Sequence, residues 1–213
     1  PFRKNHNTPL PPHLQSVTIM GVDYICGRCE STGGRLWVVG NDHELFDYFL
    51  PERWRAMPRT RLSPSHEIYQ TCTKDEIYLV WKLSQVGLIP DLDPFRDDER
   101  NIIEFGYNSP YEEFNIALEL NRKGIRTTAP RAIYMTGNKV NITPAIFDER
   151  RYLSHRHFLT LDGEPVLNPE YNYITLWGYW NGPIDKLVDY EGHYFDSKNA
   201  LQVLREGIIS EAV

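Results

Sequence analysis

The 213-residue chain has only three cysteines, an odd number, which excludes a small secreted framework of paired disulfides. It has no apolar run long enough to span a bilayer. The opening residues, Pro1 to Leu14, carry charge but no apolar core, so neither a membrane span nor a signal peptide is expected and the chain reads as cytoplasmic. Excess positive charge is missing too: the net charge of −6 argues against a broad nucleic-acid surface, leaving room only for a local basic patch. There is no Gly-x-Ser-x-Gly string and no Walker loop, which removes the serine-hydrolase and P-loop readings. Internal repeats and low-complexity stretches are absent as well.

What is present describes an ordinary globular chain. Hydrophobic residues make up 41% and charged residues 24%, enough for one sizeable core or two small ones. The aromatic share, 13%, favours strands over a helical bundle. Cys26 and Cys29 form a Cys-x-x-Cys pair, half of a zinc or redox site. No second close pair of Cys or His stands elsewhere to complete it, so two thiols near a β-turn are expected.

Residues 1–15, rich in proline, read as an extended arm. Residues 16–65 read as a β-hairpin extension, with alternation in SVTIMGVDYI and RLWVV around a Ser31–Gly34 turn, then a short helix from His43 to Phe49 capped by Asp42. The clearest hairpin is HEIYQTCTKDEIYLVWKL, whose runs His66–Thr73 and Glu76–Leu83 meet at Lys74-Asp75. Its second run is mostly apolar but holds one lysine, Lys82. The clearest helix follows: Ser109 at the N-cap, Pro110 at the first helical position and Glu112 completing a capping box predict a helix to Lys123, stopped by Gly124. RAIYMTG, HFLTLDGEPVL and YITLWGYW are further strand candidates, and Ser197–Ala212 a last helix. The expected fold is therefore α+β: an antiparallel sheet of about five strands with one principal packed helix, plus the N-terminal hairpin.

A hairpin with a lysine in its second strand, a capped helix with an acidic first turn, two more strands and a Gly/Pro hinge occur in that order, with EFNIALELNRKGIRTTAPRAIY between helix and strand. This order resembles the N-terminal lobe of the protein-kinase-like superfamily, in its small-molecule and lipopolysaccharide kinase branches, over residues 66–137 and 171–213. The resemblance implies that Lys82 holds the phosphates of ATP, that Glu113 pairs with Lys82 to orient it, and that Gly178, Tyr179 and Trp180 lie in the hinge that reads the adenine edge. Nucleotide is the implied partner, with Mg²⁺ beside it. The sequence departs from the family in three places: no glycine-rich loop precedes Lys82, no His-Arg-Asp or Asp-Phe-Gly string occurs, and the text ends where a catalytic lobe would begin. A second lobe or protein chain is therefore expected to supply the catalytic groups, and no phosphotransfer is expected from these residues alone.

Two other classes compete. The aromatic strand Tyr171–Trp180 suits a partner interface, which would make the chain an interaction or scaffold module. Asp91, Asp93, Asp97, Asp98 and Glu99 crowd nine positions, a density that suits Mg²⁺ in a nuclease or transferase, with Asp91 and Asp93 as the first candidate ligands. The basic run Arg53–Arg61, with Trp54, could contact a phosphate backbone, and His155 with His157, beside Asp148 and Glu149, could form an acid/base or metal cluster.

Overall fold

Alternating apolar and polar residues, interrupted at regular intervals by turn formers, produce one open sheet. The computed structural model describes residues 9–125, 127–140, 147–160 and 162–179, with the side chains of 97 and 98 left aside. Its strands are β1 (Leu14–Ile19), β2 (Val22–Cys29), β3 (Gly34–Val39), β4 (Arg59–Arg61), β5 (Ile68–Cys72), β6 (Tyr78–Leu83), β7 (Pro130–Met135) and β8 (Tyr173–Gly178). They pair antiparallel throughout in the order β1-β2-β3-β7-β8-β6-β5-β4. The helices are α1 (Pro51–Trp54), α2 (Asp97–Phe105), α3 (Pro110–Arg122) and α4 (Arg150–His155), and a 3₁₀ turn of helix spans His43–Phe49.

The α+β class is as expected, but the sheet has eight strands rather than about five. One added boundary lies at Met20-Gly21, where φ values of 51° and 74° make a tight turn inside what reads as one strand. The three N-terminal strands then join the rest through β3–β7 pairing. β4 is the other addition: its Arg-Thr-Arg text is fully exposed and has no apolar alternation to announce it. HFLTLDGEPVL, by contrast, contributes only an isolated bridge between Leu159 and Pro165. The final helix candidate, Ser197–Ala212, lies outside the described residues.

Each face of the sheet carries its own core. Leu36, Val38, Leu79, Trp81, Ala132, Tyr134, Ile174 and Leu176 point to one side, where Phe46, Phe49 and Trp54 of the 43–54 helical segment cover them. Trp37, Ile133, Tyr173 and Trp177 point to the other, where α3 lays Tyr111 and Phe114 on them. Tyr111 meets Trp37 edge-on at 5.8 Å between ring centroids, and Phe114 meets Trp177 at 4.8 Å. Burying each such ring stabilises the fold by roughly 2–3 kcal/mol.

Local chemistry sets the limits of α3. Ser109 Oγ accepts from Glu112 N and Glu112 Oε2 accepts from Ser109 N, so both halves of the capping box are made. At the other end Gly124, at φ 82°, turns the chain so that Gly124 N donates to Asn121 O and Ile125 N to Leu120 O, a paired C-terminal closure that favours glycine at this position.

Candidate functional site

Directly paired residues on antiparallel strands share a face. Lys82 pairs with Ile68 on one side and Thr175 on the other, and Val80 pairs with Gln70 and Trp177. These six side chains therefore lie on the α3 side of the sheet. α3 covers the β7 and β8 part of that face, while Ile68, Gln70, Val80 and Lys82 remain half-buried beside it.

Lys82 and Glu113, 31 residues apart, meet there: Lys82 Nζ donates to Glu113 Oε1 at 2.8 Å. Their side chains are 28% and 18% exposed, so the pair is shielded yet the ammonium stays within reach of solvent. Glu113 reaches it because the first turn of α3 splits four consecutive side chains among three directions. Tyr111 and Phe114 go down into the core, Glu113 toward β6, and Glu112 toward α4. The lysine has three donors and Glu113 uses one, leaving a point charge that is fixed in place and still able to bind an anion.

The loop between β4 and β5, residues 62–67, lies next to Lys82, since Ile68, directly across from Lys82, begins β5. It holds Ser63, Ser65 and His66, with Ser65 Oγ and His66 Nδ1 at 2.8 Å and His66 N donating to Ser63 Oγ at 3.1 Å. In sequence this loop carries no signal, because β4 lacks apolar alternation. The turn at Lys74-Asp75 is at the opposite end of the hairpin, where Arg53 Nη1 bonds Asp75 Oδ1 at 2.9 Å.

The other candidate residues are dispersed. Gly178 N donates to Ala129 O and Tyr179 N to Tyr78 O, so both amides are already engaged within the sheet; Trp180 lies outside the described residues. The Asp93 carboxylate accepts from Phe95 N at 2.9 Å, its own amide donates to Glu99 Oε2, and Glu99 also pairs with Arg96. Asp91 precedes this turn, and among the described residues no group of three or more His, Cys, Asp or Glu gathers to hold a metal. Cys26 and Cys29, three apart on one strand, face opposite sides of the sheet. Burial pushes both thiols up to about 12, leaving them inert at neutral pH.

The remaining motifs take part in packing and ion pairs within the fold. The strand Tyr171–Trp180 offered as an interface contains β8, whose Tyr173, Ile174, Thr175 and Leu176 are buried between β7 and β6. In the basic run, Arg53 holds Asp75, Trp54 is buried with Nε1 donating to Phe49 O, and Arg59 lies 4.8 Å over the ring of Tyr69. Arg55 lies over Tyr134 and Arg61 bonds Glu67. His155 is buried at the last position of α4 and His157 lies beyond the helix; both rings lie against Phe158, at 5.9 and 4.0 Å between centroids. Asp148 bonds Arg150, which holds the carboxyl below its usual range.

A cavity of about 620 Å³ opens at the other end of the sheet, lined in part by Cys26, Arg28, Arg35, Phe46 and Asp162. Its lining holds two arginines that share one carboxylate, Arg35 Nη2 lying 2.8 Å and Arg28 Nη2 3.6 Å from Asp162 Oδ2. Among the described residues no helix is long and apolar enough to cross a membrane. No family model, curated protein or solved structure matches this chain.

Proposed function

We propose that the Lys82 face binds the phosphates of a nucleotide, ATP with Mg²⁺ in the first instance, and that the chain is the nucleotide-binding lobe of a kinase-like phosphotransferase. The observation that carries this reading is the 2.8 Å Lys82–Glu113 pair, joining an interior strand to the first turn of the principal helix. A half-shielded lysine held by a carboxylate keeps its aim, as phosphate contact requires. The sheet order supports the reading further: β8, which leads to the hinge text, is the immediate neighbour of the Lys82 strand, and the hairpin strand β5 flanks it on the other side. When bound, the nucleotide would supply the transferable phosphoryl group. Lys82 neutralises phosphate oxygens, Glu113 fixes Lys82, and the serine-bearing loop 62–67 stands where hydroxyl and amide donors can reach the same ligand. The catalytic base comes from a second lobe or chain.

Calorimetric titration with ATP and Mg²⁺ tests this. Binding is expected, with affinity falling about tenfold or more in Lys82→Ala and less in Glu113→Gln. No heat and no rise in melting temperature with nucleotide, or equal affinity in Lys82→Ala, would overturn the reading.

A further inference from the structure

Besides the sheet beneath it, the first turn of α3 is held by a second element, α4, between β7 and β8. Arg151 Nη1 donates to Glu112 Oε1 at 2.7 Å, and the same guanidinium reaches Tyr107 O, Gly106 O and Asn108 Oδ1 at 3.2–3.3 Å. One turn later, His155 Nε2 lies 2.9 Å from Ser109 Oγ, with both residues buried. His155 Nδ1 sits 2.8 Å from Arg151 O, which can only accept, so Nδ1 carries the proton and Nε2 accepts from the Ser109 hydroxyl. Ser109 Oγ in turn accepts from Glu112 N. Arg150 extends the grip to the end of α2, donating to Ile103 O and Glu104 O while Asp148 holds it from behind. At Gly106 the backbone passes so close that a Cβ would come within 2.7 Å of Asp148 Oδ2.

We propose that α4 is a positioning clamp, in which Arg151 and His155 hold the first turn of α3 at the rotation that brings Glu113 onto Lys82. The capping box is local and turns with the helix, so it cannot fix that rotation. Glu112 and Glu113 are successive residues, about 100° apart around the helix axis, and a contact that fixes one sets the bearing of the other. Arg151 and His155 are thus positioning residues for the anion site, though neither faces it. The functional importance of the clamp rests on the nucleotide reading; its geometry does not.

Trace acylation of the folded chain with acetic anhydride, read by mass spectrometry at Lys82 and at Lys139 as an internal reference, separates the two. Lys139 pairs with Glu170 elsewhere on the surface. In Glu113→Ala, Lys82 is expected to label about five-fold faster than in the parent. Arg151→Ala is expected to approach the same rate with Lys139 unchanged, and to add nothing when combined with Glu113→Ala. General loosening of the fold would not show that selectivity or that lack of additivity. Should Arg151→Ala fail to fold, Glu112→Gln keeps the oxygen that caps Ser109 and removes the charge Arg151 needs, and the same acceleration is expected. ATP affinity, measured in parallel, is expected to fall wherever Lys82 labelling rises.

Parent-like labelling of Lys82 in both Arg151→Ala and Glu112→Gln, with Glu113→Ala accelerated, overturns the clamp. So does a Glu113→Ala variant that labels like the parent. Accelerated labelling in a chain that binds no ATP upholds the clamp and overturns the nucleotide reading instead.

Discussion

Two neighbouring helices, α2 of nine residues and α3 of thirteen, have opposite fates. α3 begins at Ser109 with a complete capping box, carries Pro110 at its first position, and buries Tyr111, Phe114 and Ala117. α2 begins after Arg96, a side chain with no acceptor for the free amides of a first turn, and ends with Phe105 half in solvent. Phe95, just before it, is 92% exposed. Both sequences have apolar residues at helical spacing, so periodicity alone does not separate them. The difference lies in the landing surface: α3 faces Trp37, Ile133 and Trp177, whereas α2 is held chiefly through backbone carbonyls by Arg150. A cap starts a helix, but an aromatic floor is what makes it a rigid mount for the Glu113 carboxylate.

That contrast can be broken most severely at Phe114. Phe114→Ala removes the ring that packs on Trp177 and is expected to cost about 3–5 kcal/mol in chemical denaturation, with the Lys82–Glu113 pair weakened as α3 loosens. Ser109→Ala removes the cap and leaves both Glu112 N and His155 Nε2 short of a partner, for a loss of about 1–2 kcal/mol by the same measurement.

A smaller, pH-dependent loss is expected at His155. Burial, the largest influence, holds its imidazole below the ordinary range; Glu112 on α3 and the Arg151 carbonyl oppose that shift, while Arg151 and His157 add to it. A histidine whose folded value lies below its unfolded value of about 6.5 stabilises the fold above that pH. Stability is therefore expected to fall as pH drops from about 6.5 through the folded value, and a melting-temperature profile of His155→Gln should lack that step. The least effect is expected at α2, where Phe105→Ala should change stability by no more than about 0.5 kcal/mol, and a larger loss would show that α2 packs more firmly than its exposure implies.

Legibility follows the same division. The limits of α3, the hairpin β5–β6 and the Asp42 cap of the 43–49 turn could be read because each is decided by bonds between residues two to five apart. Strand β4 and the turn at Met20-Gly21 escaped, the first for want of apolar alternation and the second because Met is an unusual residue at positive φ. Arg150 and Arg151 gave no usable signal either, and His155 reads in sequence as one of a pair with His157: the long-range partners of all three are carbonyls, a carboxylate and a hydroxyl 39 to 47 positions away.

The sequence by itself determined the α+β class and the bounds of the principal helix, since caps, turns and alternation act over one or two turns of chain; Lys82 and Glu113 were singled out by the family resemblance, not by any of these signals. Only the tertiary structure decided that β8 enters between β6 and β7 and that the sheet runs to eight strands. It also decided which way Glu113 points, because that direction is fixed by aromatic packing beneath α3 and by α4 gripping it from the side. Those contacts join segments with no local preference for one another, and they form only once burial of the shared core has brought the segments together.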